Sequence, residues 1–158
     1  MENKKYAIAA LAGLVLVVGG LALWSAQKTA VPEDEVAVQE QNDLVASDAR
    51  PSDVVSVDSV TLAHGGFVVI HEDAQGVPGA ILGASAYLAA GMKTGVPVKL
   101  SRMTRDGELL YAMLHRDDGD QKFDPQYDLP VISGDPAIPV IMRFHSDSKA
   151  PGPGEQKL

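Results

Sequence analysis

A chain of 158 residues with 46% hydrophobic side chains, 5% aromatics and a formal net charge of −8 supplies one domain and some unstructured length. It contains no cysteine, which excludes disulfides, thiolate nucleophiles, zinc–cysteine and iron–sulfur sites, and the cysteine of a lipid anchor. Its acidity repels phosphate backbones, so nucleic acid is not an expected partner.

Lys4 and Lys5 precede Tyr6 to Trp24, a run without a charge. As a helix rising ~1.5 Å per residue it approaches the ~30 Å hydrocarbon thickness of a bilayer, so residues 1–24 are expected to form an N-terminal transmembrane anchor. A cleaved signal peptide is the competing reading, but its apolar core runs only ~7–15 residues and ends in a small-x-small site. Here the candidate sites read W-S-A and K-T-A. Lysines before the span, and Glu33, Asp34 and Glu35 beyond it, place the N-terminus in the cytoplasm and the rest outside the cell membrane.

Residues 25–52 are polar, acidic and aperiodic, and are expected to be a flexible tether with a reach of roughly 30 Å. Residues 146–158, with two Pro-Gly pairs, are expected to be a disordered tail. Between them, residues 53–145 read as short strands: Asp53–Leu62, Phe67–Glu72, Val96–Leu100, Leu109–His115 and Ile138–Phe144, with a turn around Arg105-Asp106-Gly107. That spacing predicts an all-β, antiparallel, Ig-like β-sandwich. Within Ile81–Met92, the stretch Ser85–Ala90 closed by Gly91 predicts one or two helical turns.

Four blocks carry a resemblance: V-D-S-V-T-L-A-H-G-G-F-V-V-I-H-E from Val57, I-L-G-A-S-A-Y-L-A-A-G from Ile81, L-Y-A-M-L-H-R-D from Leu110 and F-D-P-Q-Y-D-L-P-V from Phe123. In this order, across Val54 to Phe144, they resemble an uncharacterised domain of unknown function that recurs in archaeal and bacterial cell-surface and secreted proteins. The resemblance implies an extracytoplasmic sandwich-like domain. No activity comes with it.

Two clusters can hold a metal. Asp117, Asp118, Asp120, Asp124 and Asp128 fall in one loop, and hard Ca²⁺ takes ~6–8 oxygens from such groups. From Asp118, however, Lys122 stands at the fifth position and Leu129 where the bidentate glutamate of an EF-hand belongs. An irregular Ca²⁺ site on Asp117, Asp118, Asp120 and Asp124 and a plain solvated turn are the two readings. Among the histidines, His71 follows Phe67 and Val69 on one strand face, and His115 follows Leu109, Tyr111 and Met113 on another. His71 and His115, with Met113 and Met142 in register nearby, suit Cu(I) or Zn²⁺, and a histidine bonded to a loop carbonyl is the structural alternative. Without cysteine, a blue-copper centre is excluded.

Catalysis finds no motif. Gly83-Ala84-Ser85-Ala86-Tyr87 lacks the second glycine of G-x-S-x-G, and His71-Glu72 has no histidine at the H-E-x-x-H spacing. A Ser85, His115 and Asp117 set exists only on paper. The expected protein is therefore no enzyme and needs no certain cofactor beyond possible calcium. It is a membrane-anchored extracytoplasmic binding or structural module of the cell envelope with an envelope protein or glycan as partner. Metal binding is the first alternative and hydrolysis the next.

Overall fold

Val-rich runs that alternate with polar residues set the first strand pair, because β-branched side chains fit a half-buried pleated surface. The computed structural model describes residues 41–134 and 136–152. The expected anchor over 6–24, most of the tether and the last residues of the tail lie outside the described residues. Regular structure among the described residues is entirely β: β1 (Asp43–Val45), β2 (Val54–Leu62), β3 (Gly66–Asp73), β4 (Pro78–Ala84), β5 (Gly91–Lys99), β6 (Glu108–Arg116), β7 (Ile132–Ser133), β8 (Ile138–Pro139) and β9 (Ile141–Ser146). No helix among them is long and apolar enough to cross a membrane.

The strands pair antiparallel in two main sheets, ordered β1-β2-β5 and β4-β3-β6-β9, with β7-β8 as a small hairpin. A single buried cluster joins the two sheets: Val55, Val57, Val60 and Leu62 of β2 and Val96 and Val98 of β5 meet Val68, Ile70, Leu110, Ala112, Leu114 and Phe144 of the other sheet. The buried positions of β2 change phase between Val57 and Val60, opposite the point where Gly95 of β5 takes a φ of 60°. A residue with a Cβ is costly in that left-handed conformation, so glycine is the residue that lets the ladder kink there.

Three local features close the fold. Gln75 and Gly76, with φ of 61° and 91°, make the tight turn between β3 and β4, where Ala74 N–H donates to Val77 O at 2.8 Å. Arg102, between β5 and β6, bonds Glu108 (Nη1–Oε2 3.1 Å) and Glu72 (Nη2–Oε2 3.2 Å). Its guanidinium holds the Glu108 carboxyl below the usual carboxylate range. Thr104 Oγ1 and Ser146 Oγ lie 2.8 Å apart where β9 ends, both buried.

Three expectations change. The tail expected to be disordered from residue 146 is ordered as far as Ala150: Ser146 closes β9 and is buried, Asp147 N–H donates to Ala49 O, and Ala150 is buried. Helical turns over Ser85–Ala90 do not form, because Ser85 N–H donates to Val68 O, Leu88 N–H to Gly66 O, and Gly66 N–H back to Leu88 O. These bonds draw the segment onto β3 as an extended edge, and tertiary pairing overrides the local preference of an alanine-rich stretch. Strand β1 lies inside the acidic stretch 25–52 assigned to a tether. One apolar side chain, Leu44, is enough to dock it, buried against the core cluster and paired with Val60. Beyond it, Ala49 forms a parallel bridge to Ser146, and Ala49 N–H donates to His145 O at 3.0 Å. The chain joins the domain by Asn42, whose side chain accepts Ala63 N–H past the end of β2, and leaves by Ala150, whose carbonyl accepts Arg50 Nε–H near its start.

Candidate functional site

Strands β3 and β6 are buried on both faces, an arrangement the two-sheet core alone does not require. Their second face carries Phe67, Val69 and His71 beside Tyr111, Met113 and His115, in the registers Phe67–His115, Val69–Met113 and His71–Tyr111. His71 and His115 thus stand four residues apart along the ladder, or ~13 Å at ~3.3 Å per residue. Their rings nevertheless approach to 5.7 Å between centroids, 25° from parallel. Both side chains lean inward, and the residue pair at the midpoint is Val69 and Met113.

The protonation of these rings follows from their partners. His71 Nδ1 lies 2.9 Å from Gly79 O, and His115 Nδ1 lies 2.6 Å from Asp128 O. A carbonyl only accepts, so each Nδ1 carries the hydrogen and donates it. In the neutral imidazole the lone pair then sits on Nε2. Both Nε2 atoms are buried without a hydrogen-bond partner among the described residues, and the two histidines are 8% and 4% exposed. Burial pushes the His115 imidazole below its ordinary pKa, against the raising effect of the Asp128 carbonyl. That favours the neutral form, which is the form that ligates.

Two lone pairs turned away from water, on rings 5.7 Å apart, make a candidate acceptor site, and each costs ~1–3 kcal/mol when unmet. A histidine that binds a metal commonly gives its other N–H to a backbone carbonyl, which fixes ring and tautomer, and both rings here do so. An ion held ~2.1 Å from each Nε2 places the ring centroids roughly 5.4 Å apart for tetrahedral ligation and roughly 6.6 Å apart for linear ligation. The observed spacing lies in that interval. A water donating both hydrogens also meets two lone pairs, but a buried water normally makes about three bonds, and the walls here are aromatic and aliphatic.

The loop after β6 supplies the cover. Phe123 stands edge-on to His115 (5.8 Å, 74°) and to Phe67 (5.5 Å, 67°), and Tyr87 also stands edge-on to Phe67 (6.0 Å, 70°). Asp128 holds the loop in place. Fully buried, its carboxylate accepts Asp118 N–H at 3.0 Å and Asp124 N–H at 2.7 Å, while its carbonyl takes His115 Nδ1–H.

The other nominated residues separate from this centre. Met142 is in register with Ala112 and packs on the core cluster, so it is on the opposite face from the histidines; one step along a strand reverses the side. His145 is exposed beside Asp48, with Nδ1 3.6 Å from Oδ1. Asp117, Asp118 and Asp120 bring one oxygen each within 4.8 Å of one another, a group that does not include Asp124. Asp117, Asp118, Asp120 and Asp124 accept backbone N–H groups of Gln121, Asp120, Lys122 and Gln126 respectively, the geometry of a self-capping turn. Ser85 spends its hydroxyl hydrogen on Ala86 O and accepts Val68 N–H, so it staples two strands together. Phe123, Tyr87 and the loop-holding part of Asp128 escape a reading by motif. The continuous apolar runs Phe67–Ile70 and Leu109–Leu114 were their signal, since a strand covered on both faces stops alternating.

These features define an all-β domain of two antiparallel sheets on one core, with a second, loop-covered face that houses a buried histidine pair. The chain belongs to the family described as Domain of unknown function (DUF7282), whose profile matches residues 33–142. No curated protein and no solved structure matches it.

Proposed function

We propose that this protein is a membrane-anchored, extracytoplasmic module of the cell envelope, built on an Ig-like sandwich, whose folded domain binds a transition-metal ion between His71 and His115. The strand order supports the Ig-like assignment: first, second and fifth strands in one sheet, and fourth, third, sixth and last in the other, as a Greek key gives. The uncharged run Tyr6–Trp24 supports the anchor. The metal reading is carried by one observation, the two buried Nε2 atoms without hydrogen-bond partners on rings already oriented by carbonyls. Of the expected alternatives it has the most direct support, because Ser85 is committed to strand contacts and the aspartates cap their own turn.

The test is thermal melting of the full chain in detergent, after chelation and then with Zn²⁺, Ni²⁺ or copper added. A ligand at a hundredfold excess over its Kd stabilises by ~2.7 kcal/mol, so a rise on the order of 10 °C is expected for a domain of this size. His71→Ala and His115→Ala should each abolish it. Melting unmoved by every metal, or moved equally in both variants, would overturn the metal reading. For the anchor, intact mass of the membrane-fraction protein should show residues 6–24 retained. A product beginning near Gln27 or Val31 would refute it.

A further inference from the structure

We infer that the ion is monovalent copper, Cu(I), held by His71 Nε2, His115 Nε2 and the thioether of Met113. The inference rests on the metal-binding reading above and goes further by naming the ion and its third ligand. Met113 is buried, shares the histidine face, and stands in register with Val69 at the midpoint between the two ring-bearing positions. The rings lean toward that midpoint from either side, so the one sulfur on this face is rooted beneath their meeting place. A methionine side chain has three rotatable bonds and a polarisable sulfur, and adapts its reach accordingly.

Charge and softness then choose the ion. Thioether sulfur selects soft cations, and imidazole accepts copper as readily as zinc. Two acidic residues bond directly to side chains of this face, and their carboxylates already accept hydrogens: both oxygens of Asp128 accept loop N–H groups, and Asp73 Oδ1 accepts Tyr111 O–H at 3.0 Å and Gly76 N–H at 2.8 Å. All three ligands are neutral, and the surroundings are Phe67, Phe123 and Val69. With no anionic ligand, a divalent ion there costs about four times the Born energy of a monovalent ion of equal size, since that energy scales with the square of charge, and the buried Asp128 carboxylate beside His115 matches a single positive charge. Zn²⁺ further prefers four ligands in a tetrahedron. A +1 ion content with three soft or borderline ligands fits what is present. Binding requires no redox step: the ion enters and leaves as Cu(I).

The experiment is an anaerobic titration of the detergent-solubilised full chain with Cu(I) against bicinchoninate, run beside Zn²⁺ and Ag(I), with copper-edge X-ray absorption of the loaded protein. One Cu(I) per chain, competition by Ag(I), and a sulfur scatterer alongside two imidazoles are expected. Met113→Leu, which conserves volume and so preserves the fold, should remove the sulfur scatterer. It should weaken Cu(I) by at least the ~10-fold that an outer-sphere partner of a ligand is worth. Zn²⁺ bound through the two histidines with Cu(I) ignored would overturn this inference and leave the metal reading standing. Neither metal bound would overturn both. Cu(I) bound equally well by Met113→Leu, with nitrogen scatterers alone in the parent protein, would remove Met113 as a ligand.

Discussion

Asp128→Ala is expected to lower stability by roughly 3 kcal/mol and to open the 117–130 loop to protease. The estimate follows from two N–H groups, those of Asp118 and Asp124, that bond to one fully buried carboxylate. Each charge-assisted bond contributes ~1.5–3 kcal/mol, and a donor left without an acceptor costs ~1–3 kcal/mol when it stays buried. Part of that is relieved because the freed loop can turn its amides to water. Asp128→Asn keeps the shape but sets an amide N–H₂ against a backbone N–H, so it should fall between the parent and alanine. Urea melting measures the stability, and limited proteolysis locates the opening. An alanine variant that melts with the parent and resists cleavage would mean that Phe123, and not Asp128, fixes the loop.

Phe144→Ala should be the most damaging single truncation, at ~3–5 kcal/mol, the range for emptying a well-packed phenylalanine site. Phe144 is 2% exposed and is the core-facing residue of β9 in register with Leu110, so its ring helps fill the space between the two sheets. Phe144→Leu retains most of the apolar surface and should cost less than half as much. Ile138→Ala is the control, because Ile138 is 60% exposed and should change stability by under ~0.5 kcal/mol. If Phe144→Ala and Ile138→Ala melt alike by chemical denaturation, the core assignment for β9 is wrong.

The period of two was enough to place His71 and His115 on one face, because in β3 and β6 the phase runs unbroken from Phe67 to His71 and from Tyr111 to His115. Their inward lean was not legible. It depends on Gly79 and Asp128 lending carbonyls from outside the β3–β6 pair. Strand β4 was hidden by small residues, G-A-I-L-G-A-S-A from Gly79, whose local preference is weak in either direction, and pairing with Val69, Ile70 and His71 decides it. The first half of β5, G-M-K-T-G from Gly91, was hidden by its glycines, and pairing with Ser59, Val60, Thr61 and Leu62 decides it. Strand β1 was hidden by its composition, since a segment of acids with one docking leucine averages to a linker. Asp128 looked like its four neighbours, and only burial separates the aspartate that organises the loop from those that cap turns within it.

The bridge between Ala49 and Ser146 has a mechanical meaning. The chain joins the domain beside the end of β2 and leaves it beside the start of β2, so tension on the two flanking segments pulls along the strand axis toward opposite poles. Ala49 and Ser146 run parallel, which sets their contact in shear under that load: Ala49 N–H to His145 O and Asp147 N–H to Ala49 O must yield together and not one after another as in peeling. A pulled domain would thus hold until this short clamp gives way, while the paired imidazoles, between β3 and β6 in the interior of the other sheet, would be among the last elements to feel the force.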